Sequence, residues 1–487
     1  MPPASSCAPR VRVALLLSSF AVGALPAQNT QDPAEAPTDA ARRQSLERAR
    51  AALAARDGRP QADAERPGGA AQGRDTSTGL RLPPTSTATG LNAGGAFRLI
   101  DISLDVIGSV GTSTARDEVI QQLQGGNHDP KQRGFTLQQA ELAIAGAVDP
   151  YFRLDAHLTS LLDPDGETIV ELEEAYATST SLPLGLQLKA GHFLTEFGRI
   201  NPVHLHEWDW GDQPLIVSRL FGGDGLRAPG ARLSWVLPTD TLTEVIVGVQ
   251  NARGETTKSF LANEEAYDEA GVGGRRFVAR DTKSLRDMLY TARIANSSTL
   301  GDSCVLGLGG SALYGANATG SAAETLILGL DFVFLWRPVR TDKGWPFFKV
   351  QGEWLTRTFD ADQQVDENDP DDPGDDVVVP GDTLRDHGGF LQALYGFRRG
   401  WSVGVRGEYA TGSGASYDAD TDTFSRQADF DRTDRLRLSP MLVYQPSEFS
   451  RLRLQYDFDD SDHLRDAEHS VWLTFQTLIG VHQPHRM

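Results

Sequence analysis

From Phe97 onward, apolar and polar residues alternate with a period of two. In Phe152-Arg-Leu-Asp-Ala-His-Leu158 the even positions are apolar, and Arg153, Asp155 and His157 fall between them. Leu452-Arg-Leu-Gln-Tyr-Asp-Phe458 repeats the pattern, and Trp401, Val403, Val405 and Tyr409 oppose Ser402, Arg406 and Glu408. A period of two with charges on one side predicts a strand with one apolar and one wet face. Such segments are predicted at 97–111, 135–148, 151–161, 168–179, 184–194, 227–237, 241–251 and 285–296. They continue at 303–315, 323–337, 346–359, 386–397, 400–411, 433–446, 448–459 and 467–482.

The connections divide into two kinds. Asp149-Pro150, Pro238-Thr239-Asp240, Arg399 and Pro446-Ser447 are tight, whereas 112–134, 195–226, 252–284, 360–385 and 412–432 are long. Short turns at one end and long loops at the other are expected of a membrane-spanning antiparallel β-barrel of about 16 strands. A soluble sandwich would have to bury apolar faces against each other. Here the polar face carries Asp101, Asp105, Glu141, Arg153, Asp155, Lys349 and Glu353, then Arg406, Glu408, Arg435, Arg437, Arg451 and Arg453. Such a set does not belong in a dry core, and it is expected to line a water-filled pore. Tyr151, Phe193, Trp235, Tyr290, Trp336, Trp345, Trp401 and Tyr444 lie near strand ends, where an interfacial belt is expected.

The first ninety residues read differently. Residues 1–27 predict a secretory signal, with Arg10 and Arg12 before the apolar run Val13 to Leu25. Residues 28–96 are rich in Ala, Pro, Gly and Asp and predict a flexible periplasmic linker, with a short helix at 39–56 that stops at Gly58. The barrel is assigned to 97–487. Outside the N-terminus no run of ~18 apolar residues exists, so a helical membrane protein is excluded. Asp+Glu is 66 against Lys+Arg 46, a formal net charge of −20, which argues against a nucleic-acid partner. The two cysteines, Cys7 and Cys304, offer no disulfide framework.

One loop concentrates chemistry. His204 and His206 are two apart and point the same way in an extended stretch, with Glu207 and Asp209 close behind. Imidazoles beside carboxylates suit Zn²⁺ or another borderline ion. The competing reading is loop packing beside Trp208 and Trp210. The same loop, with Trp208, Trp210 and Asp212, is expected to fold into the lumen as a constriction. A second loop has ten acidic residues between Asp360 and Asp382, which suits a solvated acidic mouth or weak Ca²⁺ binding. Neither ion is required by the reading. No Gly-x-Ser-x-Gly turn, phosphate loop or His-Glu-x-x-His stretch is present, so an enzyme is not expected.

Several stretches carry a family resemblance: Glu171-Leu-Glu-Glu-Ala-Tyr-Ala-Thr178, Leu188-Lys-Ala-Gly-His-Phe193 with Phe197-Gly-Arg, His204 to Pro214, Ser447-Glu-Phe-Ser-Arg-Leu-Arg-Leu454 and Gly480-Val-His-Gln-Pro-His485. They resemble bacterial porin-like outer-membrane proteins grouped near the phosphate-selective porins, and most closely those called zinc-regulated outer-membrane receptors. The resemblance implies an outer-membrane channel or receptor, with a link to zinc at His204, His206, Glu207 and Asp209. Two departures stand out. The basic residues of the inner face are matched by acids, unlike the basic ladder of phosphate-selective porins. Residues 28–96 are also too few for the plug of a receptor coupled to an inner-membrane motor.

The reading is a porin that passes small hydrophilic solutes or ions, with cation preference, in contact with outer-membrane lipid. A homotrimer is expected only by analogy with large porins. The alternatives are a zinc-linked receptor barrel and a barrel enzyme.

Overall fold

The computed structural model describes residues 100–366, 376–419, 421–425 and 428–480. The expected signal, linker and 39–56 helix lie outside these residues, as do His482, His485 and the 367–375 core of the acidic loop. Sixteen antiparallel strands form one closed barrel. They are β1 (Asp101–Ser113), β2 (Gly134–Ala147), β3 (Phe152–Leu162), β4 (Thr168–Ser179), β5 (Leu186–Leu194) and β6 (Arg227–Leu237). Next come β7 (Leu242–Asn251), β8 (Met288–Leu300), β9 (Cys304–Ala316), β10 (Glu324–Trp336) and β11 (Phe347–Ala361). The ring continues with β14 (Asp382–Arg398), β15 (Trp401–Ser413), β18 (Arg435–Ser447), β19 (Ser450–Ser461) and β20 (Glu468–Gly480). Two ribbons, β12–β13 (Gln364–Asp366 with Val377–Val379) and β16–β17 (Ser416–Asp418 with Thr423–Ser425), sit within long connections. β1 and β20 close the ring, with Ser103 opposite Gly480.

Alternation produces the two faces directly. Outward positions are apolar and exposed, as with Leu326, Leu328 and Leu330 in β10 or Leu436, Leu438 and Leu442 in β18. Leu330 keeps 70% of its surface exposed. Inward positions such as Arg406, Arg437 and Arg453 are each only 1% exposed. This apolar-out, polar-in arrangement inverts that of a water-soluble protein. Among the described residues no helix is long and apolar enough to cross a membrane, which says nothing about a barrel. Of the aromatics expected at the rim, Tyr151, Trp235, Tyr290 and Tyr444 are exposed, but Phe193 and Trp345 are buried. Trp345 joins an internal apolar cluster with Trp210, Phe347 and Met441. Alternation alone does not distinguish a rim residue from one whose strand end turns inward.

The barrel is not empty. Loop 195–226 enters it, and its short helix α2 (Leu215–Phe221) is buried along its whole length. Around α2 gather Phe197, Ile200 and Phe260 from the loops and Leu289, Leu313, Ile327, Leu355 and Phe390 from the wall. Loop 252–287 supplies Phe260 and Leu261, and contains the short helix α3 (Glu264–Ala270). Helix α1 (Asp117–Leu123) packs its Ile120 and Leu123 against Trp472. The long-loop end therefore has an apolar core of its own, inside a polar-lined wall.

Candidate functional site: the docked loop and a histidine–carboxylate cluster

Glycines make room for the loop. A Cβ on Gly329 of β10 would lie 2.6 Å from the Phe197 ring, and one on Gly404 of β15 would lie 3.0 Å from Trp210. At the loop root, the Glu353 carboxylate accepts from the Arg199 and Ile200 amides at 2.7 and 2.8 Å. Arg199 pairs with Asp331 at 2.6 Å, and Asp331 also takes Arg293. Burial pulls the Arg199 pKa below its ordinary value, with Asp331 opposing it.

The loop tip is held by charge. Asp212 Oδ2 accepts from Arg406 at 2.6 Å and from Arg437 at 2.9 Å, and Gln455 donates to Oδ1 at 2.7 Å. Burial would raise the Asp212 pKa, but the two guanidinium groups outweigh it and hold the carboxyl below its usual range. Asp129 accepts from the Gln213 and Gly126 amides. Burial and the nearby Asp212 charge push Asp129 up to about 6. Trp210 donates its indole N–H to the Ser439 carbonyl. Leu215 N–H donates to Glu408, which also pairs with Arg406 at 2.7 Å.

Some of the wall residues expected to line the lumen grip this loop or the 112–134 connection, and others pair along the wall. Arg451 donates to the His206 carbonyl at 2.7 Å, and Arg453 donates to the Trp210 carbonyl at 2.8 Å. Arg435 donates to the Leu123 carbonyl at 2.8 Å. Lys349 pairs with Asp209 at 3.0 Å. Arg153 and Asp155 pair with each other on β3 at 3.1 Å. Asp105 accepts from Gln476 at 2.9 Å, and Asp101 begins β1 half-buried.

Of the four metal candidates, His204 and His206 come together and Asp209 does not join them. Asp209 turns to Lys349 and Gln392, and Trp208 donates to the Val203 carbonyl. Glu207 ends the short turn Leu205–Glu207. Around His204 gather residues not expected from the loop sequence: His157 from β3, and Glu173 and Glu174 from β4, with Glu141 from β2. His157 Nδ1 lies 2.6 Å from Glu141 Oε1. His204 Nδ1 lies 3.7 Å from that same oxygen and 3.2 Å from Glu173 Oε2. His204 Nε2 lies 2.9 Å from Glu174 Oε2, and His206 Nδ1 lies 2.9 Å from Glu141 Oε2. The His157 and His204 rings stack at 4.4 Å.

A β-bulge builds this cluster. His157 is opposite Glu174 and Leu158 opposite Leu172, so Glu173 is the extra residue. Both consecutive glutamates consequently turn inward and are buried. A second bulge between Ile107 and Gly108 does the same for Gln138 and Gln139, and Gln139 donates to Glu141 at 2.6 Å. The sequence signal for this packing is the break of alternation at Glu173-Glu174, within the stretch Glu171 to Thr178. Burial disfavours charge on His204 and His206, but the surrounding carboxylates, Glu141 first, win and raise both pKa values.

No protein-family profile matches the chain. An uncharacterized protein of Aquifex aeolicus (strain VF5) is 27% identical over 373 residues, covering 73% of this chain and 70% of that protein. Among solved structures, the outer-membrane channel DcaP of Acinetobacter baumannii is 12% identical with a TM-score of 0.47, covering 78% of this chain and 97% of that one. The anion-selective porin from Comamonas acidovorans is 10% identical with a TM-score of 0.47, covering 78% and 99%. OmpT of Vibrio cholerae in its trimer form is 11% identical with a TM-score of 0.44, covering 78% and 99%.

Proposed function

We propose that this chain is an outer-membrane porin for passive diffusion of small hydrophilic solutes or ions, narrowed by loop 195–226. The observation that carries the reading is the closed barrel, apolar outside and charged inside, with a loop anchored across its interior. An apolar exterior needs lipid around it, and a charged interior needs water. The long loops face outward from the cell, and secretion through the 1–27 signal delivers the chain. Cation preference is part of the proposal, supported by the acid excess of the chain and by the acidic connection 360–385. The proposed assembly is a homotrimer, for which cross-linking that yields only monomer would count against that part.

Planar-bilayer recording tests the reading. Purified protein is expected to give discrete conductance steps, and a salt gradient is expected to give a reversal potential of cationic sign. Absence of steps overturns the channel. Anionic sign overturns the selectivity and favours the phosphate-selective likeness.

A second reading, a zinc-linked receptor barrel, draws on the packing of His157, His204 and His206 around Glu141. It predicts saturable metal binding without conductance.

A further inference from the structure

We propose that Glu141, His157 and His204 form a site for a borderline divalent metal ion such as Zn²⁺, which clips loop 195–226 to the β2–β3 wall. Any effect on permeation rests on the channel reading above, but the binding itself does not.

The donor set comes first. Two imidazoles and one carboxylate suit Zn²⁺ and its neighbours, whereas Ca²⁺ and Mg²⁺ prefer oxygens throughout. One ligand atom from each of the three residues lies within 4.8 Å of the other two. Glu141 Oε1 stands 2.6 Å from His157 Nδ1 and 3.7 Å from His204 Nδ1. Metal–ligand bonds of about 2.0–2.1 Å in a tetrahedron put neighbouring donors roughly 3.3 Å apart. The two observed separations straddle that value, and the third lies within the 4.8 Å that bounds the set. All three side chains are buried. Three protein ligands leave one position for water or a passing solute, as in open zinc sites.

The surrounding groups orient those ligands. His204 Nδ1 faces Glu173 Oε2 at 3.2 Å as well as Glu141 Oε1, and its Nε2 lies 2.9 Å from Glu174 Oε2. Such a carboxylate behind a metal-ligating histidine fixes the ring and raises its basicity. The second Glu141 oxygen accepts from Gln139 at 2.6 Å and faces His206 Nδ1 at 2.9 Å. His206 is thereby a positioning residue. Asp209, held by Lys349, has no part in the site. The neighbouring carboxylates Glu173 and Glu174 supply the negative charge that a dication requires. Because His157 and Glu141 belong to the wall and His204 to the loop, an ion bound to all three cross-links the two.

The test is Co²⁺ titration of the purified full-length protein in detergent near neutral pH, read by visible absorption and reversed by Zn²⁺. One ion per chain with a low-symmetry tetrahedral or five-coordinate spectrum is expected. His157→Gln, His204→Gln and Glu141→Gln should each weaken binding by at least about tenfold. His206→Gln should keep the one-to-one stoichiometry with a shifted spectrum, and Asp209→Asn should match the unaltered protein. Heat-modifiable gel mobility identifies folded variants, and His157→Gln decides if His204→Gln does not fold. No saturable binding to the unaltered protein, or equal affinity in folded His157→Gln, overturns the proposal and leaves a cluster of histidines hydrogen-bonded to glutamates. Conductance recorded on the same preparations separates the two ideas: binding without conductance removes the channel, and conductance without binding removes the metal site.

Discussion

Asp212 and Arg437 are 225 residues apart in the chain and 2.9 Å apart in the barrel. Arg406 approaches the same carboxylate oxygen from β15, so one loop residue ties together two neighbouring strands. Removing one member of a buried ion pair typically destabilises by about 3–5 kcal/mol, because the partner charge is left alone. Here Arg437 keeps Asp459 and Arg406 keeps Glu408, so Asp212→Ala should cost about 3 kcal/mol, the lower end of that range. The expected outcome is a less firmly docked loop, with faster proteolysis within 200–222 and a larger, noisier single-channel conductance. An unchanged conductance and cleavage rate would show that Asp212 does not hold the loop.

Gly329 provides a steric test. A methyl group there meets the rigid Phe197 ring at 2.6 Å, and overpacking of this kind costs about 1–3 kcal/mol. Gly329→Ala should lower the thermal midpoint measured by circular dichroism in detergent. Gly407→Ala, whose Cβ meets nothing within 4 Å, is the matched control and should change little.

The loop root depends on Glu353. Glu353→Ala strips the acceptor from two backbone amides, and a buried unsatisfied group costs about 1–3 kcal/mol. Glu353→Gln retains a carbonyl oxygen for the same amides, so its loss of stability should be clearly smaller. Chemical denaturation of both variants checks the order, and equal losses would assign the effect to charge instead.

A pH response is expected at the end of loop 252–287. The Asp287 carboxylate accepts from Arg280 at 2.7 and 2.9 Å and from the Lys283 and Ser284 amides. These bonds, the Arg280 contact first, lower its pKa from 3.8 to about 2. A depressed carboxyl contributes stability that is fully present above the unfolded value and lost as pH falls through the folded one. Pepsin cleavage between 280 and 287 should therefore rise as pH drops from about 4 to about 2, beyond the enzyme's own pH profile on an unfolded control. Asp287→Ala should show the raised cleavage already at the upper end. A flat ratio across that range would remove Asp287 as the latch.

The barrel was legible because its signal is repeated in every strand. The alternation predicted 227–237 and 168–179 to the residue, and placed 184–194 within two residues of Leu186–Leu194. The ribbons β12–β13 and β16–β17 were not visible, since three-residue strands have too few alternations to register. The cluster was half visible. His204 and His206 announce themselves by spacing, but His157 and Glu141 look like any lumen-facing polar residue. Their approach depends on a register in which Ala143 faces His157, and on a bulge at Glu173. The pairing of Asp212 with Arg406 and Arg437 was equally hidden, because alternation says which face a residue occupies and nothing about which distant loop will meet it.

The seam between Ser103 and Gly480 joins the first barrel strand to the last. The loop between β5 and β6 is gripped by β11, β15, β18 and β19, all synthesised after it. Its resting place does not exist while the first half of the chain is being laid down. Docking must therefore follow the pairing of the second half, which makes it a late, long-range step of the slow kind. A chain caught before that step would leave Phe197, Leu220 and Phe221 uncovered, apolar side chains that only the finished barrel buries.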